Sequence, residues 1–194
     1  MPVIPIYPET KALIFDIDGT LVDTMATHYK ACQIVCNEHG FDFPLDYFYA
    51  KAGIPTIKVF KMLIEELNLD LDGEKLGHLK EEKYLELIHE VKPLGPVYEV
   101  AKTYYGKLPM ALGTGGTKEI AHKTLAAAGI EGMFDIIITC EDVLHPKPAP
   151  DTFLAGAQKM GISPANCQVF EDADMGIAAA KAAGMLWTDI RQYV

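Results

Sequence analysis

The chain has 194 residues, of which 49% are hydrophobic, and a formal net charge of −10 from 27 acidic and 17 basic residues. This length fits one domain with a sizeable core and a smaller appended unit. The acidic balance argues against a nucleic-acid partner or an anionic membrane surface. The sequence contains no transmembrane run, and its start (Pro2, Pro5, Pro8, Glu9) lacks the features of a signal peptide, so we expect a cytoplasmic protein. We also expect it to be a monomer.

The first predicted element is an apolar strand, Ala12 to Phe15, which runs directly into Asp16-Ile17-Asp18-Gly19-Thr20. Residues two apart on a strand project to the same side, so Asp16 and Asp18 are expected to point to one place. Two anions held this close repel each other unless a cation or a shared proton lies between them. The pair therefore indicates a reaction centre, with two surface aspartates at a turn as the alternative.

A helical stretch follows the aspartate pair. Between Val22 and about Val91, strand-like runs are replaced by helical patterns such as Ile57 to Leu67 and Leu76 to His89. We interpret residues 23–90 as a helical insertion that folds over the site. Within it, Cys32 and Cys36 precede His39, but their spacing does not match a structural zinc site. Together with Cys140 and Cys167 they are expected to be buried, reduced thiols.

From Lys107 onward, short apolar runs alternate with helical patterns. This alternation predicts an α/β fold with a parallel sheet covered on both faces, to which the first strand also belongs. The main domain then comprises residues 1–22 and 91–194. Asp151 is the predicted N-cap of one helix and Gly161 its stop. The predicted strands are Pro109–Leu112, Phe134–Thr139, Cys167–Phe170 and Met185–Thr188, and the predicted helices are Lys118–Ala128, Asp151–Met160 and Ile177–Ala183.

Polar groups follow the predicted strands at their carboxyl ends, where open parallel sheets bind ligands. The strand ending at Leu112 leads into Gly113-Thr114-Gly115-Gly116, a hydroxyl among unhindered backbone N–H groups that suit an anion. The next strand leads to Lys147, and the one after it to Glu171-Asp172-Ala173-Asp174. Singly, these are typical of a tight turn, a solvated loop and a helix start. Their order at successive strand ends favours a single site.

This set fits phosphoryl transfer through a carboxylate nucleophile. A phosphate monoester is an anion, so an attacking carboxylate needs a cation that neutralises both. Asp16 and Asp172, with Glu171 as a further candidate, supply the oxygen ligands that Mg²⁺ prefers. An aspartyl-phosphate intermediate on Asp16 would split one slow hydrolysis into two easier steps.

The remaining groups have separate tasks in this hypothesis. Lys147 and Thr114 would hold the phosphate oxygens. Asp18 would give a proton to the leaving alkoxide and later take one from water, a role that typically contributes about a hundred- to ten-thousand-fold to the rate.

With these residues together, the chain resembles the haloacid dehalogenase superfamily over essentially its whole length. Within it, the chain is most similar to the β-phosphoglucomutase-like phosphatases, in particular the fructose-1-phosphate and 6-phosphogluconate phosphatase branch. The motifs that carry the resemblance are Asp16–Thr20, Thr114, Lys147–Phe153 and Val169–Asp174.

The resemblance implies a Rossmann-like core with a small helical cap, residues 23–90, that closes over small soluble phosphate esters. It implies Asp16 as nucleophile and Asp18 as general acid/base. It also implies Mg²⁺ held by Asp16, the Asp18 main-chain carbonyl and Asp172.

The resemblance further implies substrate contacts from the cap. His28 matches a histidine brought near the site, and Gly53-Ile54-Pro55-Thr56 looks like the loop that touches the substrate. Lys58 and Lys80 are candidates for binding an anionic leaving group.

Two positions depart from the pattern of this family. Gly115 and Gly116 stand where related enzymes often have an asparagine, so one side-chain contact is missing. Thr56 stands where the mutases tend to carry an arginine that grips a distal phosphate, which favours hydrolysis. We therefore expect a Mg²⁺-dependent phosphatase of a small sugar or sugar-acid phosphate. The alternatives are a β-phosphoglucomutase-type isomerase and a non-catalytic phosphometabolite-binding protein.

Overall fold

A parallel sheet of five strands lies at the centre of the computed structural model, which describes residues 3–194. Pro2, one of the residues cited above as unlike a signal peptide, lies outside the described residues. In chain order, all the strands of the described residues are β1 (Ala12–Phe15), β2 (Val22–Asp23), β3 (Lys92–Pro93), β4 (Met110–Gly113), β5 (Ile137–Ile138), β6 (Cys167–Glu171) and β7 (Leu186–Asp189). Two of them, β2 and β3, form a separate two-stranded sheet. The helices are α1 (Met25–Glu38), α2 (Leu45–Ala50), α3 (Thr56–Glu66), α4 (Gly73–Leu87), α5 (Gly95–Tyr104), α6 (Lys118–Ala127), α7 (Asp151–Met160) and α8 (Asp174–Ala182).

The strand order of the main sheet is β5-β4-β1-β6-β7, and every neighbouring pair is parallel. Alternate residues of the central strand β1 enter two different apolar clusters. Leu13 and Phe15 pack with α5 and α6, whereas Ala12 and Ile14 pack with α7 and α8. A strand buried on both faces reads as a continuous apolar run, which is why β1 could be recognised. The predicted α/β fold with a parallel sheet is confirmed.

Helices α1 to α4 have an apolar cluster of their own, built around Phe43, Phe60 and Leu63. The two ends of this helical segment are joined by a short antiparallel ladder, in which β2 pairs with β3 through Val22 and Pro93. The segment therefore leaves and re-enters the sheet domain at one place. Among residues 3–194, none of the helices has the length and hydrophobicity of a membrane span.

Most predicted elements are present with shifted ends. The strand predicted over Phe134–Thr139 is reduced to the two-residue edge strand β5, and α8 begins three residues before the predicted Ile177. The predicted N-cap Asp151 is wrong, because Pro150 occupies that position and Asp151 is the first helical residue. Gly161 does end α7, in a left-handed conformation with φ 68°. All four cysteines are free thiols, with Cys140 half-buried and the others buried.

Candidate active site

Three parallel strands bring the predicted polar groups to one edge of the sheet. Asp16 directly follows β1, Thr114 follows β4, and Glu171 ends β6 before Asp172. The turn after β1 requires glycine, since Gly19 has φ +80° and a Cβ there would lie 2.5 Å from Asp172 Oδ2. The tight turn thus lets the first motif approach the acidic end of β6.

Lys147 is buried and bridges two of the carboxylates. Its ammonium Nζ donates to Asp16 Oδ1 at 2.7 Å and to Glu171 Oε1 at 2.6 Å. Burial opposes the charge of Lys147, but Asp16 and Glu171 outweigh it and the pKa of Lys147 is raised. Glu171 Oε2 accepts the backbone N–H of Ala173 at 2.8 Å, so both Glu171 oxygens are engaged within the protein.

An acidic cluster lies beside this lysine. Asp16, Glu171 and Asp172 each offer an oxygen within 4.8 Å of the others. Burial raises the pKa of Asp16 well above its ordinary value, and burial together with the charge of Glu171 raises the pKa of Asp172 to about 7. Carboxylates gathered in this way suit a hard divalent cation, which would relieve their mutual repulsion.

Asp18 faces a different set of partners. Its Oδ1 accepts from Thr24 Oγ1 at 2.9 Å and from His28 Nε2 at 3.0 Å, and its carboxylate is not part of the acidic cluster. Burial opposes ionisation, yet His28, Thr24 and Lys80 together lower the pKa of Asp18. The expectation that Asp16 and Asp18 point to one place holds for the cavity that both line, but their carboxylates bind different partners. The strand ends at Phe15, so strand alternation no longer governs residue 18.

Lys80, in helix α4, determines which ring nitrogen of His28 carries the hydrogen. Lys80 Nζ lies 2.7 Å from His28 Nδ1, and an ammonium group can only donate. Nδ1 is therefore the acceptor, and Nε2 carries the hydrogen that is donated to Asp18. The imidazole ring also stacks on Tyr84, with ring centroids 3.8 Å apart and planes 7° from parallel.

A cavity with an empty volume of about 770 Å³, its open mouth included, separates the strand ends from the helical segment. The two sides meet where Gly53 lies against Gly115, since a Cβ on Gly115 would overlap the Gly53 carbonyl group. Thr114 Oγ1 accepts the N–H of Gly116 at 3.0 Å. The predicted site residues that line the cavity are Asp16, Asp18, His28, Gly53, Thr56, Lys80, Thr114, Gly115, Gly116, Glu171 and Asp172.

Two predicted site residues do not line the cavity. Lys147 is buried and binds Asp16 and Glu171, whereas Lys58 is exposed and lies apart from the site. Sequence reasoning missed Thr24, Tyr84 and Glu81. Thr24 lies four residues before His28, and Tyr84 four after Lys80, so helical spacing could have pointed to both. Glu81 carried no such signal.

A sequence profile of the haloacid dehalogenase-like hydrolase family matches residues 13–188. The chain belongs to this family. The membership predicted from the motifs is thereby confirmed.

Individual members of the family are also similar to the chain. The fructose-1-phosphate phosphatase YqaB of Escherichia coli (strain K12) is 44% identical over 186 residues, which cover 95% of this chain and 98% of the relative. The beta-phosphoglucomutase of Bacillus subtilis (strain 168) is 29% identical over 94% of this chain and 84% of its own length. A beta-phosphoglucomutase structure from Clostridium difficile superposes with a TM-score of 0.82 at 26% identity, covering 92% of this chain and 83% of that one. The chain is thus a phosphoric monoester hydrolase by family and relationship.

Proposed function

We propose that this hydrolase is a Mg²⁺-dependent phosphatase of a small sugar or sugar-acid phosphate, with fructose 1-phosphate as the first candidate. One observation carries the proposal: Asp16 lies on a cavity beside two further carboxylates and a buried lysine. The relative with 44% identity, a fructose-1-phosphate phosphatase, supports the choice of substrate.

In this proposal Asp16 is the nucleophile. Lys147 binds one carboxylate oxygen and leaves the other to attack phosphorus, which gives an aspartyl-phosphate and releases the alcohol. Lys147 would also attract the transferring phosphoryl group. Because Gly116 donates to Thr114 Oγ1, the hydroxyl hydrogen of Thr114 is free to bind a phosphate oxygen.

The acidic cluster fits magnesium through its hard oxygen donors. Asp16 and Asp172 would hold the ion with their side chains, and the resemblance to the family implies that Asp18 would hold it with its main-chain carbonyl. The Asp18 carboxylate is engaged by Thr24 and His28. When bound, Mg²⁺ would neutralise the charge of the carboxylates and of the phosphate. Glu171 would serve to position Lys147, because both of its oxygens are taken.

Asp18 is the proposed general acid/base. Its pKa is lowered by its partners, so it stands ready as the ionised base that takes a proton from water during hydrolysis of the intermediate. An anionic substrate beside Asp18 raises its pKa, which favours the protonated form needed for the leaving alkoxide. His28, held by Lys80, would keep the Asp18 carboxylate in place.

We also propose residues 23–90 as a cap that covers the site and moves about the β2–β3 ladder. The independent apolar cluster of α1 to α4 supports this division. The cytoplasmic location and the monomeric state stay predictions.

The direct test compares the native chain with Asp16→Asn on fructose 1-phosphate and 6-phosphogluconate. We expect phosphate release that requires Mg²⁺, is abolished by EDTA, and falls roughly a thousandfold or more in the variant, because an amide is not a nucleophile here. Thermal unfolding of both proteins controls for folding. Undiminished turnover after chelation or in Asp16→Asn would refute the proposal.

A β-phosphoglucomutase activity is the second candidate, favoured by the TM-score of 0.82 to such an enzyme. Incubation with β-glucose 1-phosphate and a trace of its bisphosphate separates the two. Glucose 6-phosphate accumulating faster than inorganic phosphate would establish the mutase instead.

A further inference from the structure

Lys80 contacts His28, the partner of the proposed acid/base group Asp18, and all of its hydrogen-bonding capacity is used. Its ammonium has three N–H groups. They are directed to His28 Nδ1 at 2.7 Å, Thr56 Oγ1 at 3.4 Å and Glu81 Oε1 at 3.3 Å. Lys80 therefore has no donor left for an anionic leaving group, and Glu81 balances its charge.

The other cation of the cavity wall is balanced as well. Lys51 Nζ lies 3.8 Å from Glu66 Oε1 and 5.1 Å from the centre of the Tyr47 ring. The hydrogen-bond pattern makes His28 a neutral Nε2–H tautomer. The cap side of the cavity thus presents no unbalanced positive charge among the residues that the structure describes, and the other charged groups of the lining are all acidic: Asp16, Asp18, Glu171 and Asp172.

Burying the carboxylate of Glu81 beside the cavity costs free energy. Its side chain is 18% exposed, and Oε2 is enclosed beside the Thr56 hydroxyl without a hydrogen bond of acceptable geometry. Burial opposes its ionisation, but the groups around it, the charge of Lys80 foremost, lower the pKa of Glu81, so the carboxylate is charged. An incompletely paired buried carboxylate adds little to stability, which indicates that the charge is kept for another reason.

We propose that Glu81 is a specificity-determining residue that makes the cavity select phosphate esters with an uncharged, polyhydroxylated leaving group over esters whose leaving group carries a second anion. This inference rests on the proposed phosphatase function and narrows its substrates to phosphates of neutral sugars and polyols. The cause is that Glu81 cancels the charge of Lys80, so no cation on this side of the cavity offsets the repulsion between a second anion and the carboxylates of the lining.

The test uses two substrates that differ only at one carbon, glucitol 6-phosphate and 6-phosphogluconate. For the native enzyme we expect kcat/KM to be at least about tenfold higher for the neutral polyol ester. In Glu81→Gln, the amide oxygen still accepts from Lys80 while the charge is gone. The ratio of kcat/KM for 6-phosphogluconate to that for glucitol 6-phosphate should then rise about tenfold.

Glu82→Gln is the matched control. Glu82 is the next residue of α4, is exposed and does not line the cavity, so the variant changes the net charge equally without changing the site. Its substrate ratio should equal that of the native enzyme.

Several results would overturn the inference. They are equal native activity on the two substrates, an unchanged ratio in Glu81→Gln, or an equal shift in Glu82→Gln. A purely structural role of Glu81 would lower both activities together and leave the ratio unmoved. If the native enzyme hydrolyses no sugar phosphate at all, the proposed function fails, a result distinct from hydrolysis without discrimination. The native substrate comparison needs no variant, so it can refute the inference even if Glu81→Gln does not fold.

Discussion

Lys80 is a buried charge on which we expect both the activity and the stability of this protein to depend. Lys80 is only 4% exposed in its side chain, and it supports both the His28 tautomer and the charge of Glu81. Removing such a lysine leaves an uncompensated buried carboxylate.

We predict that Lys80→Met lowers kcat on fructose 1-phosphate by roughly ten- to a hundredfold, because His28 no longer holds Asp18 in one orientation. The free energy of unfolding should fall by about 2 kcal/mol, less than for a fully buried pair since Glu81 retains some exposure. Steady-state kinetics and urea unfolding measure the two effects.

The double variant Lys80→Met/Glu81→Gln separates the two roles of the lysine. It should recover most of the lost stability, because no unpaired charge remains, while kcat stays low. Recovery of turnover along with stability would show that Lys80 acts only through folding.

At the scale of elements, the contact between two loops sets how closely the helical segment approaches the sheet. The loop after α2 carries Gly53, and the loop after β4 carries Gly115, which has no space for a Cβ. This close approach encloses the cavity that holds Asp16 and Asp18.

Gly115→Ala should therefore hold the two loops apart. We expect kcat/KM to fall about tenfold through water admitted to the site and a displaced cap, with the unfolding temperature unchanged. Gly132→Ala is the control, because a Cβ at Gly132 meets nothing within 4 Å. A Gly115→Ala enzyme as active as the control would mean that the loop contact does not matter for turnover.

Local patterns predicted the sheet and the residues at its edge, since β1 is a continuous apolar run followed by Asp16, and β6 is a mostly apolar run that ends in Glu171. Parallel strands must then bring those ends together. Helical spacing also explains why the two candidate lysines differ. Lys80 shares a face with Leu76 and Tyr84, four residues away on each side, whereas Lys58 lies outside the buried stripe of α3.

Other features depend on tertiary contacts that no local pattern encodes. The Lys80–His28 contact joins residues 52 apart in the chain. The β2–β3 ladder pairs segments of two residues each, too short for a recognisable period. Similarly, Asp18 could not be assigned to its own set of partners until the placement of α1 was known.

For the molecule as a whole, the acidic cluster links folding to pH and, in the proposed function, to metal binding. In the absence of metal, the pKa of Asp172 is raised from 3.8 to about 7, and that of Asp16 is raised as well. The folded state therefore binds more protons than the unfolded chain between about pH 4 and 7, so the free energy of unfolding falls as the pH rises through this window. The pKa values of Asp18 and Glu81 are lowered, so these residues change the free energy of unfolding at pH values below this window.

We predict that the metal-free protein in EDTA loses about 2 kcal/mol of unfolding free energy between pH 5 and pH 7.5. Added Mg²⁺ should restore about 2–3 kcal/mol at pH 7.5 once its concentration reaches about a hundred times its Kd, because it binds the folded state alone.

Asp172→Asn removes one of the repelling charges and a ligand, so its stability should depend less on pH and respond less to Mg²⁺. Asp174→Asn, at an exposed carboxylate two residues further on, should behave like the native chain. Urea unfolding at each pH measures the difference, and a native stability that rises across this window, or an equal Mg²⁺ response in Asp172→Asn, would contradict the assignment of Asp172 to the metal site.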